Sequence, residues 1–326
     1  MRSLVTGTGS YTPDKVLTNK DLEKMVDTTD EWIVERTGIR ERRVAAPEEA
    51  TSDLAYEASM RALEMAKVKP EDLDLIALGT VTGDMTFPSA ATCLQGRLKN
   101  KKAFAFDVAA ACAGSLFALS MADRFVATGQ SKKALVVGAE ILTRITNWKD
   151  RNTCILFGDG AGAMVLEPTS DANRGLLSCH LHTDGSLVSI LNAPGGGSRI
   201  PISHEMIEKG QHYAYMNGRE VYKVAVRALE ECSREALAAN GMTPADVDVV
   251  IAHQANKRIL DSTLNRLGIP ESKCWMNLEK YGNTSSASVP MTLDEANRAG
   301  WLERGDRILM MAIGAGMAWG SAILRW

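Results

Sequence analysis

The sequence contains no C-x-x-C pair: its six cysteines stand at 93, 112, 154, 179, 232 and 274. That spacing offers neither a zinc site nor a redox dithiol, so no metal is expected and reduced thiols are the default. The chain also lacks an excess of either charge, with 37 basic against 40 acidic side chains and a net charge of -3. No bulk basic field is present to hold a nucleic acid backbone, and any anionic partner must meet a local patch. A long apolar run is missing too. The longest uncharged stretch, Ile308 to Leu324, is broken by Gly314, Gly316 and Gly320, whereas a membrane helix needs about 20 apolar residues. Two buried strands around a glycine turn are expected there instead. The opening Met1-Arg2-Ser3-Leu4-Val5-Thr6-Gly7 lacks the apolar stretch of a secretory signal, which predicts a cytoplasmic protein.

What is present fits a large globular chain. Hydrophobic residues make up 45% and charged residues 24% of 326 positions, enough apolar side chains for two domains or two fused halves. Short β-branched runs, at Leu73 to Leu78, Ala103 to Val108, Ala134 to Val137 and Asp248 to Ala252, alternate with longer helical patterns. This alternation predicts an α/β architecture. The chain also echoes itself. Pro70, Asp72 and Asp74 recur at Pro244, Asp246 and Asp248, and Gly162 to Leu166 resembles Gly320 to Leu324. Two matches in the same order predict a duplicated unit, with halves at 1–170 and 171–326 joined near Glu167 to Asp171. The stretch Ala193 to Arg199 is expected to be a loop within the second half, with helical patterning resuming at Arg219.

Three residues stand where strands give way to helices. Cys112 follows the run ending at Val108 and precedes an apolar helix expected to run to Thr128 and stop at Gly129. A buried helix N-terminus favours a thiolate and is expected to lower the thiol pKa, although most free cysteines are simply buried. His253 follows the run ending at Ala252, with Asn256 as N-cap of the next helix; ligands of open α/β sheets gather at such strand ends, yet a satisfied structural histidine fits equally. Asn283 precedes another helix, where a simple N-cap role competes with chemistry. Because Cys112 and Asn283 occupy nearly corresponding turns of the two halves, a pseudo-twofold axis would bring them together. Other combinations fail. Gly7-x-Gly9 has no third glycine for a dinucleotide site, and Cys179 and His180 would point to opposite faces of a strand.

An ordered set of short segments carries a nearly full-length resemblance to the β-ketoacyl-acyl-carrier-protein synthase III family of the thiolase superfamily. The segments are Gly38 to Arg43, Ala110 to Gly114, Phe157 to Gly162, His253 to Asn256, Tyr281 to Ser285 and Trp319 to Ala322. The resemblance implies a five-layered αβαβα thiolase fold made of two similar halves, and a homodimer. It also implies a decarboxylating Claisen condensation of an acyl-CoA, acetyl-CoA being the expected primer, with malonyl-acyl carrier protein to begin fatty acid synthesis. No cofactor is implied, since acyl-CoA is a substrate, and neither nucleic acid nor membrane is expected as a partner. A relative making a specialised metabolite or transferring the acyl group without decarboxylation, and a non-catalytic subunit that binds acyl-CoA or carrier protein, are the alternatives.

By the same resemblance Cys112, His253 and Asn283 form the catalytic set, and the amides of Cys112 and Ala315 form the oxyanion hole. Many relatives have a third glycine where Ala315 stands, which implies strain if that position needs a positive φ. Trp32, Arg36 and Arg151 correspond to the nucleotide end of the CoA site, while Gly218, Tyr222 and Asn256 correspond to the pantetheine tunnel. Lys223, Arg258 and Arg266 correspond to a docking surface for the acidic carrier protein. Phe87, in Thr86-Phe87-Pro88, corresponds to a ring that closes the acyl pocket of the partner subunit. No cysteine lies beyond Cys274, so the second cysteine of thiolases is absent.

Overall fold

The computed structural model describes residues 1–326. Its first sheet is built from β1 (Arg2–Tyr11), β2 (Leu75–Gly79), β3 (Phe104–Val108), β4 (Ala134–Glu140) and β5 (Gly160–Thr169), in the order β1-β5-β4-β2-β3. A second sheet comes from β6 (Gly175–Thr183), β7 (Val249–Ala252), β8 (Arg307–Gly314) and β9 (Ala318–Arg325), in the order β7-β8-β9-β6. Read from β6, the second sheet repeats the first from β1. In each, the two strands at matching positions pair in parallel (β2 with β4, β7 with β8); β2 also pairs in parallel with β3, and the remaining pairs run antiparallel. β3 has no counterpart strand in the second sheet; a single bridge between Val250 and Cys274 stands in its place.

The sequence echo maps onto this plan. Pro70–Asp72 and Pro244–Asp246 form equivalent short turns before β2 and β7. Gly162 to Leu166 lies in β5 and Gly320 to Leu324 in β9.

Helices fill three layers around the two sheets. Between the sheets lie α4 (Gly114–Ala127) and α7 (Ser288–Arg298). They share one core with both sheets, which includes Leu116, Leu119, Val289, Leu293, Leu75, Val136, Val249 and Met310. Outside the first sheet, α2 (Thr51–Ala66) and α3 (Ala90–Arg97) pack through Leu54, Ala58, Leu63 and Leu94 onto Ile76, Leu78, Leu135 and Val137. Outside the second, α5 (Gly218–Ala239) and α6 (Lys257–Leu267) pack through Leu229, Leu237, Leu260 and Leu264 onto Val250, Leu309 and Met311. Alternate residues of β2 therefore enter different cores, which is why that strand reads as an unbroken apolar run. Each fully buried leucine contributes about 1.5 to 3 kcal/mol relative to exposure. The remaining helix that matters for the site, α1 (Asp30–Thr37), lies near the mouth of the cleft and ends at Gly38, whose φ of 82° gives it a left-handed cap. No helix is long and apolar enough to cross a membrane.

Several local features follow the sequence pattern. Asn256 caps α6, accepting from the Arg258 amide at 2.9 Å. The run from Ile308 to Leu324 forms the antiparallel pair β8 and β9 around the Gly314–Gly316 turn. The expected loop 193–199 carries no helix or strand, but a short helix, His204–Glu208, precedes the patterning at Arg219.

Candidate active site

The chain turns sharply between β3 and α4, and Cys112 sits on that turn. Ala111 adopts φ 45° just before it, and Ala111–Ala113 form one 3-10 turn leading into α4. The thiol is therefore presented at the head of a buried helix, with 8% of the residue exposed. Gly314, at the end of β8, lies so close that a Cβ there would stand 2.4 Å from the Cys112 amide nitrogen. Only glycine allows that approach. Ala315 lines the same cavity without adopting a left-handed φ; Gly316 at 71° and Met317 at 43° take the positive values instead. The anticipated strain at Ala315 is absent.

His253 leaves the end of β7 with its amide donating to Met311 O at 2.8 Å. Its ring is 3% exposed, and Nδ1 lies 2.6 Å from the Ser288 hydroxyl at the start of α7. Ser288 Oγ also accepts from the Gln254 amide at 3.3 Å. Burial depresses the imidazole pKa to about 3, so the ring is neutral at physiological pH.

Asn283 does not cap α7. It precedes a separate 3-10 turn, Ser285–Ala287, and its Oδ1 accepts from the Ser285 amide at 2.8 Å. Its main chain is clamped to the segment after residue 155, donating to Leu156 O at 2.8 Å and accepting from Gly158 N at 3.0 Å. With Oδ1 occupied, the Nδ2 hydrogens remain for a ligand.

Cys112, His253 and Asn283 all line one cavity of about 1200 Å³. Its inner walls include Leu142, Phe157, Ile313 and Met317, an apolar surface suited to an acyl chain. Toward the mouth stand Trp32, Arg36, Gly218, Tyr222, Lys223, Asn256 and Arg258. Trp32 has two guanidinium neighbours, Arg36 at 4.6 Å and Arg151 at 4.4 Å from the ring centroid. Arg151 also donates to Asp27 O at 2.8 Å. Asn256 Nδ2 donates to Arg36 O at 3.0 Å, tying α6 to α1, and the Tyr222 hydroxyl hydrogen-bonds Ser262 at 2.7 Å.

Three of the expected residues do not line the cavity: Arg151 reaches it only through Trp32, and Arg266 and Phe87 stand apart. Arg266 is ion-paired with Glu230, which also holds Arg234. Phe87 is 82% exposed and takes no part in the core of this chain.

The thiol departs from expectation. The head of α4 was expected to lower its pKa, but burial pushes Cys112 up to about 12, the nearby Ser285 hydroxyl lowering it and the Glu140 carboxyl raising it as smaller effects. In the unliganded chain desolvation outweighs the helix terminus, and the resting thiol is protonated. Sequence reasoning also passed over Ser288, the partner of His253, and Glu140, a wholly buried carboxyl at the end of β4. The only signal for Glu140 was a charged residue closing the otherwise apolar run Ala134 to Ala139. No group of three or more His, Cys, Asp or Glu side chains is arranged to hold a metal ion. Cys179 packs against the central core, whereas His180 and His182 meet Glu235.

The chain is similar to known proteins over nearly its whole length. The signature described as 3-oxoacyl-[acyl-carrier-protein] synthase III matches residues 106–185, and that of the synthase III C terminal matches residues 237–326. The β-ketoacyl-[acyl-carrier-protein] synthase III of Caldanaerobacter subterraneus is 52% identical over 322 residues, covering 99% of this chain and 97% of that protein. The chain belongs to the β-ketoacyl-acyl-carrier-protein synthase III family. The synthase III of Xanthomonas campestris is likewise 52% identical, across 99% of this chain and 98% of its own. Among solved structures of the family, the 3-oxoacyl-[acyl-carrier-protein] synthase III of Aquifex aeolicus superposes with a TM-score of 0.93 at 47% identity, covering 99% of this chain and 100% of that one. The five-layered thiolase fold is thus the family's own.

Proposed function

We propose that this chain condenses an acyl-CoA, acetyl-CoA being the expected primer, with malonyl-acyl carrier protein to give a 3-oxoacyl-acyl carrier protein, the first condensation of fatty acid synthesis. The observation that carries the reading is the convergence of Cys112, His253 and Asn283 on one cavity with an apolar interior and a cationic, aromatic mouth, in a chain of this family.

The steps follow from what each group offers. Cys112 Sγ attacks the acyl-CoA thioester carbon; the carbon–sulfur bond to CoA breaks, and the thiol proton leaves with CoA as its thiol. The amides of Cys112 and Ala315 receive the oxyanion. Malonyl-carrier protein then enters, and His253 and Asn283 donate to its thioester carbonyl. The Ser288 hydroxyl, which accepts from the Gln254 amide, is assigned as the hydrogen-bond donor to Nδ1, which leaves the ring hydrogen on Nε2, facing the substrate. As the carbon–carbon bond to the carboxylate breaks, carbon dioxide departs and the electron pair moves into an enolate held by these two donors. The enolate carbon attacks the acyl-cysteine, a carbon–carbon bond forms, the carbon–sulfur bond breaks and Cys112 takes up a proton.

Trp32, Arg36 and Arg151 are assigned to the adenine and phosphates of CoA, and Gly218, Tyr222 and Asn256 to its pantetheine. An aromatic face with two guanidinium groups suits a nucleotide base beside phosphate. Lys223, Arg258 and Arg266 are assigned to the carrier protein. The halves 1–170 and 171–326 contribute the nucleophile and the two donors respectively.

A second copy of the chain completes the assembly in this reading. What supports a homodimer is the free edge of β3, which carries Phe104 (44% exposed), together with the exposed Met85 (53%) and Phe87 (82%) of the segment before α3. An unpaired edge beside exposed aromatic side chains is an association surface. Phe87 would then close the partner's acyl pocket. A cytoplasmic site of action is supported by six cysteines that are all unpaired. The test is to incubate the protein with a panel of acyl-CoAs and malonyl-carrier protein and to weigh the products. A 3-oxoacyl-carrier protein two carbons longer than the primer is expected; carrier protein that only binds, or acyl groups transferred without loss of carbon dioxide, would overturn the reading.

A further inference from the structure

Glu140 closes β4 with none of its surface exposed and no cation paired with it. A carboxylate so buried is costly unless donors surround it. Here they do, in two arms. From the loop after β2 come Thr80 Oγ1 and the amides of Val81 and Thr82, each at 3.1 Å, with Thr82 Oγ1 at 2.5 Å. From the turn after Asn283 come Ser285 Oγ at 3.1 Å and Ser286 Oγ at 3.2 Å. Ser286 has a single proton and a closer acceptor in Gly79 O at 2.6 Å, so Ser285 is the hydroxyl that Glu140 holds on this side.

Ser285 links Glu140 to Asn283. Its φ of 50° is unusual for a residue with a side chain and needs holding in place. Glu140 holds its hydroxyl, and its amide in turn donates to Asn283 Oδ1 at 2.8 Å, which sets the direction of the Asn283 amide. The other arm fixes Val81, which lines the same cavity. We propose that Glu140 is a positioning residue of the condensing site, orienting the Asn283 amide through Ser285 for the step that forms the enolate. The inference rests on the function proposed above. It predicts an effect on one half-reaction only, because acylation needs the thiol and its oxyanion hole but not the Asn283 amide.

The test is Glu140→Gln, which keeps the shape but turns an NH2 group toward donors. Acylation of Cys112 by acyl-CoA should stay within about 3-fold of the parent, while decarboxylation of malonyl-carrier protein falls about 10- to 100-fold in kcat with little change in KM, the usual scale of a misplaced group. A separate reading needs no substrate. Glu140 is the carboxyl that bears on the Cys112 thiol, His253 beside it being neutral and Asn283 and Ser285 not titrating. Burial raises the Glu140 pKa against the hydrogen bonds of Thr82, Val81, Ser285 and Thr80; removing this carboxyl should move the pH profile of Cys112 alkylation by iodoacetamide to lower pH, a change that a merely structural role would not produce. If Glu140→Gln does not fold, Ser285→Ala removes one arm and is read by the same split between half-reactions. Unchanged decarboxylation in a folded variant, equal losses in both half-reactions, or an alkylation profile unmoved in Glu140→Gln would overturn the proposal. Should the parent itself fail to acylate and condense, the proposed function fails instead, and the alkylation profile still judges the placement of Glu140.

Discussion

The Ser288 hydroxyl lies 2.6 Å from His253 Nδ1, and this contact decides what the ring offers a substrate. Ser288→Ala releases Nδ1 and lets the ring hydrogen move to the nitrogen turned away from the cavity. A neutral hydrogen bond is worth about 0.5 to 1.5 kcal/mol net, so decarboxylation should slow by up to about tenfold while Cys112 acylation is retained. Release of labelled carbon dioxide, timed beside acylation by mass spectrometry, measures both. Equal rates of decarboxylation in the variant and parent would contradict the tautomer assigned to His253.

The same histidine shapes stability in acid. Its folded pKa of about 3 lies below the ordinary 6.5, so between those values the unfolded chain takes a proton that the folded chain refuses. Stability is therefore lost as pH falls from 6.5 toward 3, by up to about 1.4 kcal/mol per pH unit from this group. Asp159, raised to about 6, works in the opposite direction over part of that range, so the comparison must be with His253→Ala rather than with the parent alone. Urea melts at pH 7, 6 and 5 should show a shallower decline in the variant. Parallel declines would show that His253 does not remain neutral.

Burial governs the resting nucleophile. With the Cys112 thiol pushed up to about 12, alkylation by iodoacetamide should be slow at pH 7 and still climbing above pH 9, since only the thiolate reacts. Tandem mass spectrometry separates this cysteine from the other five. A plateau reached below pH 8 would mean that the helix terminus wins over desolvation.

Much of this site was legible in the sequence because it lies at strand ends, and strand ends are marked. Cys112 and His253 each follow a short apolar run and precede a helix, and the echo between Pro70 and Pro244 located the matching turns of the two halves. Asn283 was legible as a polar residue before a helix, but its bond to Ser285 was not, because the intervening 3-10 turn depends on Glu140 across the chain. Ser288 looked like any residue at a helix start; its role appears only when β7 and α7 meet. The direction of the Cys112 shift was hidden for the same reason. A helix terminus is local and can be read from residue order, whereas desolvation depends on how Gly314, Ser285 and the walls of the cavity close around the thiol.

Phe87 offers a prediction about selectivity. At 82% exposure it adds little to the stability of one subunit, in contrast to the loss of about 3 to 5 kcal/mol expected for a fully buried Phe→Ala. If it closes the partner's acyl pocket, Phe87→Ala should leave melting and dimerisation nearly unchanged while relative acylation rates shift toward longer chains in a series from two to eight carbons. An unchanged ranking of primers would remove Phe87 from the site.

The division of labour within the cavity is tested most directly by following both half-reactions in three variants, Cys112→Ala, His253→Ala and Asn283→Ala. Intact-mass spectrometry after acyl-CoA alone reports acylation, and carbon dioxide release from malonyl-carrier protein reports decarboxylation. Cys112→Ala should take up no acyl group. His253→Ala and Asn283→Ala should still be acylated but lose decarboxylation by about 2.7 to 4 kcal/mol, the usual cost of one donor to a developing oxyanion. An acyl group carried by Cys112→Ala, or equal losses of both half-reactions in the other two variants, would contradict the account.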